Sequence, residues 1–338
     1  MHYLVTGHTG FKGSWLCMLL ISRGHKVSGI SLDPEKNSLF NLAKLETKVD
    51  DYRLDIRNYE GVLKVFNDTK PDVIVHLAAQ SLVLRSYKDP IKTFETNVQG
   101  TLNVLRASSK TGSVKAQLII TTDKVYKNIH KLSGYAETDS LGGDDPYSAS
   151  KAMADILTQS WAKSFASAPT AIARAGNVIG GGDYCEDRIM PDLVSSFLLG
   201  KVPILRKPNA VRPWQHVLDC LNGYLILIEN LIINKEFDVW NFGPETINYR
   251  TVEDLAKLAA ELWGIEFNWE LSTNSDFKET DFLTLDSSKA RSELNWKDKL
   301  NFTESVNKSI TWYKDLSKGF NPLELMLRDI KDFERISH

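Results

Sequence analysis

Hydrophobic and polar positions give the chain two halves of different texture. In the first, short β-branched runs alternate with longer stretches of helical period. Strands are predicted at 3–5, 26–30, 72–77 and 117–121, and helices at 13–23, 58–67 and 91–111. The strand runs are apolar throughout rather than alternating, as strands covered on both faces should be. Strand and helix taking turns is the pattern of an α/β protein, a doubly wound parallel sheet with helices on each side.

Past about residue 175 the alternation weakens. Gly, Pro, Asp and Trp collect in Gly180-Gly181-Gly182-Asp183 and Arg212-Pro213-Trp214, and clear helical period returns at 252–263 and 303–312. The predicted division is a first domain over 1–175 and a smaller α/β lobe over 176–338, with some chain crossing back. Leu323, Met326, Leu327, Ile330 and Phe333 describe an amphipathic C-terminal helix, expected to pack on its own lobe or at an oligomer interface. Trp15 and Trp214 read as core.

Composition narrows the function classes. Lys+Arg number 41 against 43 Asp+Glu in 338 residues, a formal charge of −2, which disfavours a nucleic-acid partner bound through phosphate neutralisation. Cys17, Cys185 and Cys220 are scattered, with neither a disulfide framework nor a metal-ligand spacing, so no metal is expected and a reducing cytoplasm is. The N-terminus lacks the signal-peptide pattern, and no continuous apolar run reaches membrane-spanning length, so no membrane partner is expected.

Candidate chemistry begins at the first turn. Thr6-Gly7-His8-Thr9-Gly10-Phe11-Lys12-Gly13 follows the first strand and opens the first helix. Glycines at Gly7, Gly10 and Gly13 suit a tight turn, close approach to a pyrophosphate, and close helix–strand packing. That is a Rossmann-type dinucleotide signature. Asp33, 20 residues past Gly13, is the candidate acid for a ribose hydroxyl, although Ser31 holds the usual strand-end position. The reading favours NAD and leaves NADP open. Further on, Tyr147 and Lys151 fall one helical turn apart, where a lysine ammonium would favour a phenolate. Thr122, Asp123 and Lys124 close a buried strand, where open α/β sheets place their ligands.

These segments together resemble the extended short-chain dehydrogenase/reductase superfamily, and within it the nucleotide-sugar 4,6-dehydratases of the CDP-glucose type. The resemblance runs from residue 1 to about 315 and rests on the glycine turn, His76-Leu77-Ala78-Ala79-Gln80, Thr122-Asp123-Lys124, Pro146-Tyr147-Ser148-Ala149-Ser150-Lys151, Arg174-Ala175-Gly176-Asn177 and Arg212-Pro213-Trp214-Gln215-His216. It implies a redox-neutral lyase that removes water from a nucleotide sugar, with another nucleotide-sugar dehydratase or a 4-epimerase as the alternative. Thr122, Tyr147 and Lys151 would act at the sugar C4 hydroxyl, Asp123 as the acid at C6 and Lys124 as the base at C5. The cofactor would meet Gly7, His8, Gly10, Phe11, Lys12, Gly13, Asp33, Asp55, Ile56, Leu77, Ala78, Ala79, Asn97, Tyr147 and Lys151. The substrate would meet Gln80, Ser86, Asn177, Arg188, Arg212 and His216. A homodimer or homotetramer is implied as well. Departures from the family pattern stand at Leu84 and at Ser133-Gly134-Tyr135-Ala136.

Overall fold

In the computed structural model the described residues are 1–272 and 282–336; 273–281 and 337–338, which fall in the expected second lobe, lie outside them. Seven strands form the central sheet: β1 (His2–Thr6), β2 (Lys26–Ser31), β3 (Asp50–Arg53), β4 (Val73–His76), β5 (Ala116–Ile120), β6 (Thr170–Ala175) and β7 (Asp238–Phe242). Their spatial order is 7-6-5-4-1-2-3, and every pairing is parallel. β4 and β5 are buried along their whole length, which accounts for their uninterrupted apolar runs.

The predicted elements appear within a few residues. Helix α1 (Phe11–Ser22) follows the glycine turn, and α2 (Tyr59–Thr69) starts at Asn58, whose side chain accepts from the Gly61 amide. The helix expected over 91–111 is three pieces: Pro90–Phe94, a π-helical turn at Glu95–Gln99, and α3 (Gly100–Lys110). The wider turn directs the Asn97 side chain inward, so the period slips there. α4 (Pro146–Ser164) opens on Asp145, which accepts from the Ser148 amide, with Pro146 at the first helical position.

The chain crosses back more than a boundary at 175 implies. β7 extends the main sheet beside β6, in register from Asp238↔Ala171 to Phe242↔Ala175. α6 (Val217–Asn234) lies under β5 and β6. By length and mean hydropathy α6 could cross a membrane, but 67% of it is buried, and its apolarity is that of a core helix. The rest of the second half comprises α5 (Ile189–Leu198), α7 (Val252–Trp263), α8 (Phe302–Ser317), α9 (Pro322–Arg335) and two-residue strand pairs such as Val178–Ile179 with Gln215–His216. α9 buries Leu325, Met326, Ile330 and Phe333, while Leu327 is exposed. It packs on α8 of its own lobe and also on α1, so the tail is shared with the first domain rather than confined to the second. Trp15 and Trp214 are both buried, as expected of core residues.

A buried ion pair ties the catalytic-helix candidate to the sheet. Arg174 on β6 donates from Nε and Nη2 to the two oxygens of Asp155 on α4, at 2.8 and 2.7 Å, and both side chains are almost wholly buried. We expect Arg174→Leu, which strands the Asp155 carboxylate, to cost roughly 3–5 kcal/mol in urea unfolding, and Arg174→Leu with Asp155→Leu to recover most of that loss.

Candidate active site

A cleft of about 540 Å³ opens where the strand order reverses, over the carboxyl ends of β1 and β4. One wall is the glycine turn. Gly7 has φ +76, and a Cβ on it would lie 2.7 Å from the Ala78 amide nitrogen; one on Gly13 would lie 2.1 Å from the Gly7 carbonyl. Both glycines are required by backbone approach. The turn therefore presents a bare backbone and the free amides that begin α1, a cradle that fits a dinucleotide pyrophosphate. Gly10, Phe11, Lys12 and Gly13 line the cleft with Asp55, Ile56, Leu77, Ala78 and Ala79.

The floor is the end of β5. Thr121 and Thr122 run on from it extended, and a single turn at Asp123–Val125 follows, with the Thr122 hydroxyl accepting from the Lys124 amide. This turn lets Asp123 fold inward while Lys124 stays half-exposed. The Thr122 hydroxyl donates to Asp123 Oδ1 at 3.0 Å, whereas Oδ2 is buried with no partner among the described residues. Room for Oδ2 comes from Gly176, where a Cβ would stand 2.8 Å away. Burial pushes the Asp123 carboxyl above its ordinary range, against the pull of Lys124, Thr122, Arg212 and Lys12. The side chain of Lys124 makes no hydrogen bond or ion pair among the described residues.

Tyr147 and Lys151 face the same cleft from α4. Burial raises the Tyr147 phenol to about 12; the neighbouring Thr122 hydroxyl and the charge of Arg188 pull the other way. Lys151 is not among the largest influences on it. The Lys151 ammonium points instead to the Ile120 carbonyl, 2.7 Å away at the end of β5. Burial lowers Lys151 to about 8, partly offset by the Asp155 carboxylate on the next turn.

Several predicted contacts lie elsewhere. The His8 ring is fully buried and turned under the sheet edge, bonded through Nε2 to Asp51 at 2.8 Å, with burial lowering its pKa. Asp33 is exposed two residues beyond β2 and off the cleft wall, where Ser31 and Leu32 stand instead. Asn97, Gln80 and Ser86 form a supporting layer. The Asn97 amide brackets the Gln80 backbone and reaches Ser150, the Gln80 side chain bonds Thr93 and Leu82, and Ser86 accepts from the Tyr147 amide. His216 is buried and caps α6 by accepting from the Leu218 amide. These five side chains shape the cleft from behind rather than lining it. Ser133-Gly134-Tyr135-Ala136 is also off the wall: Tyr135 stacks on Tyr126 and bridges to Leu285, while Leu84 does line the cleft.

Asn177, Arg188 and Arg212 line the second-lobe wall. Arg188 pairs with Asp183 at 3.0 Å and donates to Ser81 at 3.3 Å, bridging the two sides. Arg206, Lys207 and Asp192 join them on that wall and were not anticipated. Asp192 stands in the first turn of α5, whereas Arg206 and Lys207 follow a strand only two residues long, and their adjacent charges are the signal the sequence offers.

The profile of the GDP-mannose 4,6 dehydratase family matches residues 4–309. A protein named CDP-glucose 4,6-dehydratase from Salmonella typhimurium is 39% identical over 340 residues, covering 97% of this chain and 95% of that one. Among solved structures, dTDP-glucose 4,6-dehydratase from Bacillus anthracis in complex with NAD superposes with a TM-score of 0.80 at 25% identity, covering 96% of this chain and 99% of that one. UDP-glucose 4-epimerase from Thermotoga maritima with UDP-glucose gives 0.82 at 25% identity, covering 94% and 100%.

Lys151 offers a direct check of the site's electrostatics. Its Cε resonance in lysine-labelled protein, assigned by its loss in Lys151→Met, should titrate with a midpoint of about 8, well below the ordinary lysine range.

Proposed function

The chain belongs to the GDP-mannose 4,6 dehydratase family, and from that premise we propose that it is a hydro-lyase converting CDP-glucose to CDP-4-keto-6-deoxyglucose. NAD is its cofactor. Its pyrophosphate would rest on the amides of the turn from Gly7 to Gly13, with Asp55 and Ile56 at one end of the cleft and Tyr147 and Lys151 at the other. The chemistry NAD supplies when bound is reversible hydride acceptance, so the overall reaction consumes none of it.

The protein's own groups handle the protons. Tyr147, as its phenolate, takes the proton of the sugar C4 hydroxyl, and oxidation there acidifies the C5 proton. Lys124, half-exposed and without a partner among the described residues, removes that C5 proton. Asp123 gives its proton to the departing C6 hydroxyl. The C5 proton and C6 hydroxyl account for one water, and oxidation at C4 balances reduction at C6. The observation that carries the reading is the buried Asp123 Oδ2 with no partner among the described residues: a carboxyl whose pKa burial raises, beside the C4 machinery, is the acid that dehydration needs and epimerisation does not.

Arg188, Arg212 and Asn177 support binding of the nucleotide diphosphate, since a guanidinium fork suits phosphate oxygens. We also infer a homodimer or homotetramer, supported by the exposed Met153 and Ile156 on the outer face of α4. The free thiols of Cys17, Cys185 and Cys220 suit the reducing cytoplasm expected for it.

Incubation with NAD and, separately, CDP-, UDP-, dTDP- and GDP-glucose and UDP-N-acetylglucosamine, read by mass spectrometry, tests this. Loss of one water from CDP-glucose is expected; an isomer of unchanged mass would establish an epimerase instead. Asp123→Asn and Lys124→Met should each lower the dehydration rate by about 10²–10⁴, with folding unchanged by circular dichroism. Because Asp123 acts protonated and its pKa is raised, kcat should fall as pH rises through that raised value, while the falling rate at the acid end belongs to the two bases. A rate that climbs steadily with pH would remove Asp123 from the acid role.

A further inference from the structure

Three carboxylates stand on the second-lobe wall of the cleft: Asp183, Asp187 and Asp192. Two of them are committed. Asp183 pairs with Arg188 at 3.0 Å, and Asp187 holds Arg206 through its side chain at 3.4 Å and its carbonyl at 2.8 Å. Asp187 does so with φ +62, an uncommon backbone conformation for a residue that carries a side chain. Asp192 differs from both. It is exposed in the cleft, and its carboxylate makes no hydrogen bond or ion pair among the described residues.

The place of Asp192 follows from α5. Arg188, just before that helix, donates to Ser81 of the first lobe and stands close enough to Tyr147 for its charge to act there, so it marks the reacting end of the cleft. The Asp192 amide bonds to the Arg188 carbonyl at 3.1 Å, which puts Asp192 one helical turn, roughly 5 Å, further along α5. Arg206 is near enough for its charge to act on Asp192, and Ile204, two residues before it, leaves an apolar side chain 59% exposed on the same wall.

A sugar nucleotide with its sugar at Tyr147 and its diphosphate at Arg188 carries its base onward to this stretch. Position 4 of a pyrimidine lies opposite the nitrogen that joins the ribose, so it reaches furthest from the diphosphate. Cytosine presents an amino donor there, uracil and thymine a carbonyl oxygen. A carboxylate accepts from the first and repels the second, which is discrimination by attraction and repulsion at one atom.

We propose that Asp192 selects cytosine by accepting a hydrogen bond from its exocyclic amino group, with Ile204 against the face of the ring. The inference rests on the nucleotide-sugar reading of the cleft and assigns its base preference to one side chain.

Calorimetric titration of the NAD-loaded full chain with CDP and with UDP reads it without turnover, because the two diphosphates differ only in the base. CDP should bind at least about tenfold tighter. In Asp192→Asn the amide can turn over, accepting from an amine or donating to a carbonyl, so the two should come within about threefold, UDP tightening as CDP weakens. Asp192→Ala should close the gap as well. Neither substitution removes a contact described above, and thermal unfolding of each variant should match the parent protein. A preference for CDP that survives both substitutions, or equal losses for CDP and UDP, would overturn the role of Asp192 and leave the CDP-glucose reading standing. UDP bound by the parent at least as tightly as CDP would overturn it too, and conversion of UDP-glucose would then move the substrate. Failure of both diphosphates to bind, with CDP-glucose left unconverted, would overturn the nucleotide-sugar reading itself.

Discussion

The structure depends on one fully desolvated guanidinium. Arg174 reaches from β6 to Asp155 on α4, to the hydroxyl of Tyr126 just past the Asp-Lys turn, and to the carbonyl of Glu137. Tyr126 passes the connection on to Asn241 of β7, and Asp155 also accepts from Thr121 at the end of β5. Taking these charges out of water is costly, and such a cluster is tolerated only when every donor and acceptor is satisfied in one arrangement. That demand aligns α4 with the ends of β5 and β6, and so brings Tyr147 and Lys151 to face Thr122, Asp123 and Lys124. The same carboxylate that balances Arg174 also supports the charge of Lys151.

Burial then separates two adjacent charged residues. Asp123 and Lys124 are neighbours in sequence, but the single turn they occupy sends one into the protein and leaves the other half in solvent. Desolvation raises the pKa of the Asp123 carboxyl, while the Lys124 side chain keeps access to water. The contrast in burial thus arises from a three-residue turn rather than from distant partners.

Four strands of the sheet were legible because buried parallel strands must be apolar on both faces, and Thr122, Asp123 and Lys124 stood out because they follow a strand end. What a linear pattern does not carry is the side of the backbone on which a residue emerges. His8 lies within the glycine turn yet points under the sheet; Ser86 and Asn97 neighbour cleft residues yet serve the layer behind. Asp33 falls at the right count from the turn, but β2 has already ended at Ser31. In the second lobe, strand pairs of two residues are too short for any period to register, so Arg206 and Lys207 left no trace beyond their charge. The tail helix was visible as an amphipathic stripe, but its partners belong to both halves.

The seventh strand carries a consequence for how the protein is made. Residues 238–242 close one side of a sheet whose other six strands are complete by residue 175. During synthesis, β6 therefore waits as an open edge, with unpaired backbone groups and no Asn241 to meet Tyr126, until more than sixty further residues have emerged. A nascent chain at that stage offers any neighbouring chain the same hydrogen bonds that β7 later claims. The order in which the polypeptide leaves the ribosome thus makes the first half of this protein a dependent of the second, and makes stalled or truncated products its most aggregation-prone forms.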